Sequence, residues 1–295
     1  MSLTQAKKQQ LAGQGAIFGA AFLMSTNGLF IKLLPWHPVA MAGMRSMVAL
    51  VFLVILRLVS PPPKGNKNPV LPLIAAAILF AATIYTFFIA NKLTTSANAI
   101  MLQYGAPIWT AILAWILIKE KPNWEHWCAL ALVIFGLVLI FRDGLGHSLD
   151  WRALLGDAIA LLCGIVFAAH SVFLRMLKNG TPSDAMLLAH IICAFVGIPF
   201  IILYPPSFTL PSSLSIIYMG IFQIGLASLL FAYGVKLISA VEALLIDSVE
   251  PVLNPIWVLA ITGEKPSMAA LAGGAAILAA VIFSSLIGIR REKRA

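Results

Sequence analysis

Two acidic side chains lie three residues apart inside one long apolar segment of the chain. A spacing of three places Asp247 and Glu250 on one face of a helix. Carboxyl groups at membrane depth are costly and mark ion or proton pathways. We interpret both as candidate coupling residues that bind a proton on one side of a membrane and release it on the other. The alternative is an ion pair with Lys236 or Arg175 near one surface.

One arginine, Arg45, also falls well inside an apolar segment. It is a third candidate coupling residue, because it could pair with Asp247, Glu250 or a substrate carboxylate. Long basic side chains also commonly extend to the nearer membrane surface, which is the competing interpretation. Asn27 and His170 are polar residues at equivalent places in the two halves of the chain. Each could contact a substrate or satisfy a backbone carbonyl.

Tyr104 stands three residues before Pro107, one helical turn away on the same face. It lies about 9 Å of helix rise beyond Asn98, at ~1.5 Å per residue. That depth is too great for the belt of tyrosines at a membrane surface if the span begins near Asn98. We therefore expect Tyr104 to line a cavity.

The segment around these residues occurs twice. Residues 91–122 align without a gap with residues 235–266, and each copy ends in Glu-Lys-Pro. Self-similarity of this kind indicates an internal duplication. Pro107 in the first copy matches Pro251 in the second. A proline inside a helix kinks it and frees backbone carbonyls, so we predict that both prolines act as hinges.

The composition indicates an integral membrane protein. Of 295 residues, 61% are hydrophobic and 11% are charged, which leaves too few polar residues to cover a soluble globule. The net charge of +9 comes from basic residues between apolar runs, so nucleic acid is not an expected partner. The cysteines lack metal-ligand spacing, and no nucleophile motif is present. We expect no metal, no cofactor and no enzymatic activity.

Ten segments are apolar and long enough to cross a bilayer, and their connections are short. Basic residues concentrate in the tails and in alternate loops, which predicts that both termini are cytoplasmic. The predicted spans lie near residues 12–34, 38–58, 71–91, 98–118, 126–141, 154–176, 185–204, 214–235, 242–262 and 268–289. The predicted organisation is a cytoplasmic tail (1–11), a five-helix repeat (12–141), an external linker (142–153), a second five-helix repeat (154–289) and a basic cytoplasmic tail (290–295).

Five spans per repeat is an odd number, so the second repeat enters the membrane with the opposite orientation. We therefore predict an all-α membrane protein made of two inverted-topology repeats around a central cavity. Inverted repeats are typical of secondary transporters that work by alternating access.

The sequence resembles the EamA type of the drug/metabolite transporter superfamily in its ten spans, its two copies, the proline in spans four and nine, and the closing Glu-Lys-Pro. Residues 101–107 (MLQYGAP) are similar to a segment of the YddG group of bacterial aromatic amino acid exporters. The resemblance implies that spans 1 to 4 and 6 to 9 line the cavity. It also implies that Tyr85, Tyr104, Phe167 and His170 face it. Because Ala106 and Phe167 stand where those exporters are expected to carry tryptophan, a roomier cavity is implied.

We therefore expect an exporter of aromatic or broadly neutral amino acids in a bacterial inner membrane, acting as a monomer with protons as candidate coupling ions. A drug or other-metabolite exporter and an uncoupled facilitator are the alternatives. The expected partners are a small-molecule substrate and the lipid bilayer. The predicted substrate-contacting residues are Asn27, Tyr85, Asn98, Met101, Tyr104, Phe167, His170 and Ser248.

Overall fold

The regular elements are helices throughout the part of the chain that the structure describes. The computed structural model describes residues 3–27, 30, 34–61, 68–94, 99, 102–141, 151–253, 257, 260 and 268–292. The helices are α1 (Leu3–Met24), α2 (Pro38–Val59), α3 (Val70–Leu93), α4 (Ala106–Ile118), α5 (Trp124–Phe141), α6 (Trp151–Met176), α7 (Pro182–Leu203), α8 (Leu210–Leu237), α9 (Ala240–Asp247) and α10 (Met268–Glu292).

Five of these helices are long and apolar enough to cross a membrane, namely α2, residues 70–90 of α3, α6, α7 and α8. Shorter apolar stretches lie in α4, α5 and α10. Large apolar side chains cover the outer surface, and Leu58, Leu71 and Phe195 are about three-quarters exposed. An apolar surface of this extent suits lipid rather than water.

One close helix contact occurs in both halves of the chain. A Cβ on Gly13 of α1 would lie 2.9 Å from Ile238, just after α8, and a Cβ on Gly156 of α6 would lie 2.8 Å from Thr94, just after α3. Gly156 and Ile238 are the counterparts of Gly13 and Thr94 in the sequence repeat. Small residues allow such close approach. Thus α1 packs on α8 as α6 packs on α3, the relation that a twofold axis between the halves would produce.

The first helix differs from its prediction at both ends. It covers residues 3–24, whereas the apolar pattern predicts a span over residues 12–34. Its C-terminal end has a local cause. Ser25 Oγ donates to the carbonyl of Phe22 at 2.6 Å, and Thr26 Oγ1 donates to the carbonyl three residues before it at 2.9 Å. Such local hydrogen bonds compete with the helical ladder.

The two hinge prolines lie beside breaks in helices, where the sequence predicts a kink within one continuous helix. α4 begins with Pro107 in its first turn, directly after a turn at residues 104–105. Proline suits a first turn, because the N–H that it lacks has no helical partner there. α9 ends at Asp247, and a turn at residues 248–249 separates it from a helical turn that contains Pro251. The breaks therefore fall at equivalent places in the two repeats.

Candidate functional site

The breaks beside α4 and α9 bring Tyr104 next to the acidic pair. Tyr104 is 8% exposed and Asp247 is 2% exposed. The Tyr104 hydroxyl lies within hydrogen-bonding reach of the Glu250 carboxylate, and Asp247 lies within electrostatic range of both groups. Among the described residues, no donor hydrogen-bonds to Asp247 Oδ1. An acceptor buried without a donor is costly in a protein interior.

Arg45 of α2 approaches the same place from the first half of the chain. Its side chain is 5% exposed, and its Nη1 donates to Asn27 Oδ1 at 3.1 Å. The guanidinium also lies over the Phe88 ring, 5.1 Å from the centroid, in a cation–π contact. Arg45 Nε has no acceptor within the described part of the chain, and Glu250 lies within electrostatic range. Arg45, Tyr104, Asp247 and Glu250 are called the central cluster below.

The surface ion pair that the sequence left open for the acidic residues does not occur among the described contacts. Arg175 Nε donates instead to Glu120 at 3.0 Å, and its Nη1 donates to the carbonyls of Val235 and Lys236. Lys236 Nζ donates to the carbonyl of Gly180 at 3.0 Å. Both basic side chains are therefore held by other groups.

Side chains from α3 and α7 surround the Arg45 guanidinium. Tyr85 donates to the carbonyl of Cys193 at 2.7 Å, and both residues lie within electrostatic range of Arg45. His190, fully buried, also lies within that range and contacts Ser228 Oγ at 3.4 Å. Tyr85 thus lies beside the central cluster.

His170 lies one layer away, between α3 and α6. It is fully buried, and its Nδ1 is 2.8 Å from the carbonyl of Ala76. A carbonyl only accepts, so Nδ1 carries the hydrogen. Phe80 and Phe167 pack on the His170 ring, with centroids 4.9 and 6.3 Å away. His170 therefore has the backbone partner that the sequence offered as its alternative role, while Phe167 covers it.

Of the four remaining residues predicted to contact the substrate, two lie within the residues that the structure describes and two lie outside them. Asn27 holds Arg45, as given above, and Ser248 Oγ donates to the carbonyl of Leu244 at 2.9 Å in the turn after α9. Asn98 and Met101 lie outside the residues that the structure describes. The structure brings Asn27, Tyr85, Tyr104 and the three candidate coupling residues into one region of the bundle.

The sequence did not predict the polar contacts of the turn that follows α1, where residues 25 and 26 meet α8 and Trp257. Residues 219–226 of α8 form a π-helical segment, and Gln223 within it is 2% exposed. Gln223 Nε2 donates to Thr26 Oγ1 at 3.1 Å, and Trp257 Nε1 donates to Ser25 Oγ at 2.8 Å. Glutamine inside an apolar segment was a visible signal for Gln223. Nothing local in the sequence indicates the π-helix, which is a feature often found at functional sites.

The central cluster contains two groups of opposite charge with atoms that lack a hydrogen-bond partner among the described residues. These atoms are the donor Arg45 Nε–H and the acceptor Asp247 Oδ1. Charge-assisted hydrogen bonds to a carboxylate and to an ammonium are the strongest contacts that such groups make. Among the described residues, no group of three histidine, cysteine or acidic side chains is placed to hold a metal ion.

The model of the EamA-like transporter family matches residues 11–142 and again residues 154–286. The chain is similar to the uncharacterized transporter YwfM of Bacillus subtilis (strain 168), with 27% identity over 283 residues that cover 94% of each protein. It is also similar to solute carrier family 35 member G1 of Homo sapiens, with 26% identity over 240 residues, or 74% of this chain and 64% of the human protein. A crystal structure with 20% identity shares the fold with a TM-score of 0.80, over 96% of this chain and 98% of that one.

Proposed function

Because this chain belongs to the EamA-like transporter family of multi-pass membrane proteins, we propose that it is a secondary transporter that exports amino acids by alternating access. One observation carries the choice of substrate. The central cluster places an unpaired guanidinium N–H and an unpaired carboxylate oxygen in one buried region, and an amino acid carries the two complementary charges.

The substrate carboxylate binds Arg45, whose position is fixed by Asn27 and Phe88. The substrate ammonium binds Asp247, with the Tyr104 hydroxyl holding Glu250 beside it. An apolar or aromatic substrate side chain packs against the rings of this region, which favours aromatic and broadly neutral amino acids. A ligand with only one of the two charges leaves a buried group without a partner, and that loss is the basis of selection.

Proton coupling follows from competition for Asp247. The substrate ammonium pairs with the carboxylate only while the carboxylate is ionised, so a proton and an amino acid exclude each other at the same oxygen atoms. The cluster holds one guanidinium and two carboxyl groups, and one bound proton makes it electrically neutral. One proton therefore enters for each amino acid that leaves.

The membrane arrangement in this proposal is ten spans in two inverted repeats, with both termini in the cytoplasm of a bacterium. The breaks beside α4 and α9, with Pro107 and Pro251, are the points at which the halves rock. Broken helices near the middle of the membrane are typical of transporter binding sites.

A growth assay tests the proposal. Bacteria that express the chain are challenged with a toxic fluorinated phenylalanine and, separately, with a cationic dye. The wild-type chain is expected to protect against the amino acid analogue, and Arg45→Met is expected to remove that protection. Arg57→Met is the matched control, because Arg57 lies on the same helix but forms an exposed ion pair with Asp184. Protection against the dye alone would instead support a drug exporter, and protection that survives Arg45→Met would refute the proposed site.

A further inference from the structure

A polar cavity lies at the end of the bundle where α1 begins, which is predicted to face the cytoplasm. Its volume is about 400 Å³, within the range of small-molecule sites, ~300–1,000 Å³. It lies between the halves, since residues from both line it. The charged and amide side chains in its lining include Gln10, Glu120, Lys121, Glu125, Arg175 and Glu242.

One ion pair in this cavity joins the two halves. Glu120 follows α4 in the first half, and Arg175 lies in the last turn of α6 in the second. Arg175 Nε donates to Glu120 Oε1 at 3.0 Å, and Lys178 Nζ lies 3.8 Å from the same oxygen. Arg175 is anchored to its own half by hydrogen bonds from Nη1 to the carbonyls of Val235 and Lys236, at 2.9 and 2.8 Å.

The backbone before Glu120 fixes its position in the cavity. Lys119 adopts the left-handed conformation, with φ 58° and ψ 18°, and the Glu120 N–H donates to the carbonyl of Ala114 at 3.2 Å. A lysine in that conformation is uncommon and costs about 1 kcal/mol or more. Glu120 is the acidic residue of the Glu-Lys-Pro sequence that closes the first copy of the repeat, and the central cluster gives that sequence no role.

Two acceptors of the cavity lack donors. Gln10 is 7% exposed, and neither its Oε1 nor Glu120 Oε2 accepts a hydrogen bond from any described residue. An ammonium group brings three N–H donors to such acceptors. Arg175 supplies the opposite charge for a carboxylate.

We infer that this cavity is a cytoplasmic acceptance site for the exported amino acid, a step that rests on the proposed function. The substrate carboxylate pairs with Arg175, and the substrate ammonium pairs with Glu120 and Gln10. One ion pair between the halves is thereby exchanged for two ion pairs to the substrate, with no change in net charge. A zwitterion thus separates Glu120 from Arg175. An amino acid ester or an N-acetyl amino acid leaves one of the two charges unpaired.

Protection of an introduced thiol tests the site directly. Lys121 lines the cavity and is exposed, so a Lys121→Cys variant can be labelled from the cytoplasmic side with a membrane-impermeant maleimide. The exposed native thiol is removed by Cys128→Ser. Labelling rates are measured with phenylalanine, phenylalanine methyl ester and N-acetylphenylalanine. At about ten times its dissociation constant, phenylalanine is expected to slow labelling roughly tenfold, while the other two do not.

Three further variants assign the effect. Adding Arg45→Met disables the central cluster and is expected to leave the protection intact, which separates the two sites. Glu120→Gln is expected to abolish it, and Asp184→Asn is expected to retain it. Asp184 pairs with Arg57 between the halves at the same end of the bundle but does not line the cavity, so it is the matched control.

The outcomes separate this inference from the proposed function. Equal protection by all three compounds, or protection lost with Arg45→Met, would overturn the acceptance site. Phenylalanine transport without protection would overturn it too and leave the proposed function intact. Protection without transport would overturn the proposed function and leave amino acid binding in the cavity. The comparison of the three compounds does not depend on whether Glu120→Gln folds.

Discussion

Replacing Asp247 by asparagine is expected to separate exchange from coupling. The asparagine has nearly the shape of the aspartate and keeps an oxygen that accepts a hydrogen bond, but it neither ionises nor releases a proton. Phenylalanine should therefore still exchange across the membrane, with weaker affinity. A pH gradient should no longer drive its accumulation.

The size of the effect follows from the charges in the central cluster. One guanidinium and two carboxyl groups are balanced by one proton, so one proton exchanges for one amino acid. A difference of one pH unit is worth about 1.4 kcal/mol per proton, which supports a roughly tenfold amino acid gradient when the membrane potential is clamped at zero. Two protons would give a roughly hundredfold gradient. The Asp247→Asn variant is expected to give none.

The assay uses proteoliposomes with an acidic interior and labelled phenylalanine outside, because an antiporter moves substrate toward the acidic compartment. Asp184→Asn is the control, since this carboxylate forms an ion pair far from the cluster in sequence and is accessible to water. Accumulation of about tenfold by Asp247→Asn would show that another group carries the proton. A hundredfold gradient in the wild-type chain would refute the charge count.

Two further changes test the site and the packing. Tyr104→Phe removes the hydroxyl that lies within hydrogen-bonding reach of the Glu250 carboxylate. In the proposed substrate complex this hydroxyl donates to Glu250, and a hydrogen bond to a charged group contributes about 1.5–3 kcal/mol, so the KM for phenylalanine exchange should rise about tenfold or more. Tyr233 is exposed, so the control variant Tyr233→Phe should leave the KM unchanged. Gly156→Ala places a Cβ 2.7 Å from Thr94 N and should destabilise the protein by about 1–3 kcal/mol, seen as a lower Tm in detergent. Gly15→Ala meets nothing within 4 Å, so a Tm drop there would contradict this packing argument.

The length of an apolar run predicts a helix well where the helix begins and ends with that run. α2 and α6 follow their predicted spans within three residues. The predicted span for α1 begins too late in the chain. Lys7, Lys8 and the glutamines after them lower the local hydropathy, but these residues are compatible with a helix. The breaks beside Pro107 and Pro251 differ from the predicted kinks, since the sequence does not show whether a proline interrupts a helix or begins one.

The acidic pair and Tyr104 were identifiable because polar groups at depth are rare, and the repeat aligns Tyr104 with Ser248, the residue after Asp247. The contact of Asn27 with Arg45 was not predictable, because it joins two helices whose relative rotation depends on packing across the whole bundle. The pairing of Arg175 with Glu120 was not predictable for the same reason. Because Arg175 binds Glu120, it does not serve as the surface partner of Asp247 or Glu250. The spacing of residues along one helix predicts which of them share a face, but it does not predict which helix packs against that face.

Counterflow of labelled phenylalanine is the most direct test of the claim that this chain carries amino acids. Proteoliposomes loaded with unlabelled phenylalanine are diluted into a trace of labelled phenylalanine, and the label inside is followed with time. The account predicts a saturable, transient accumulation of label above its outside concentration, which is reduced by Arg45→Met and unaffected by Arg57→Met. A flux without transient accumulation would indicate a channel, and no flux of phenylalanine or of threonine in the same assay would contradict amino acid transport.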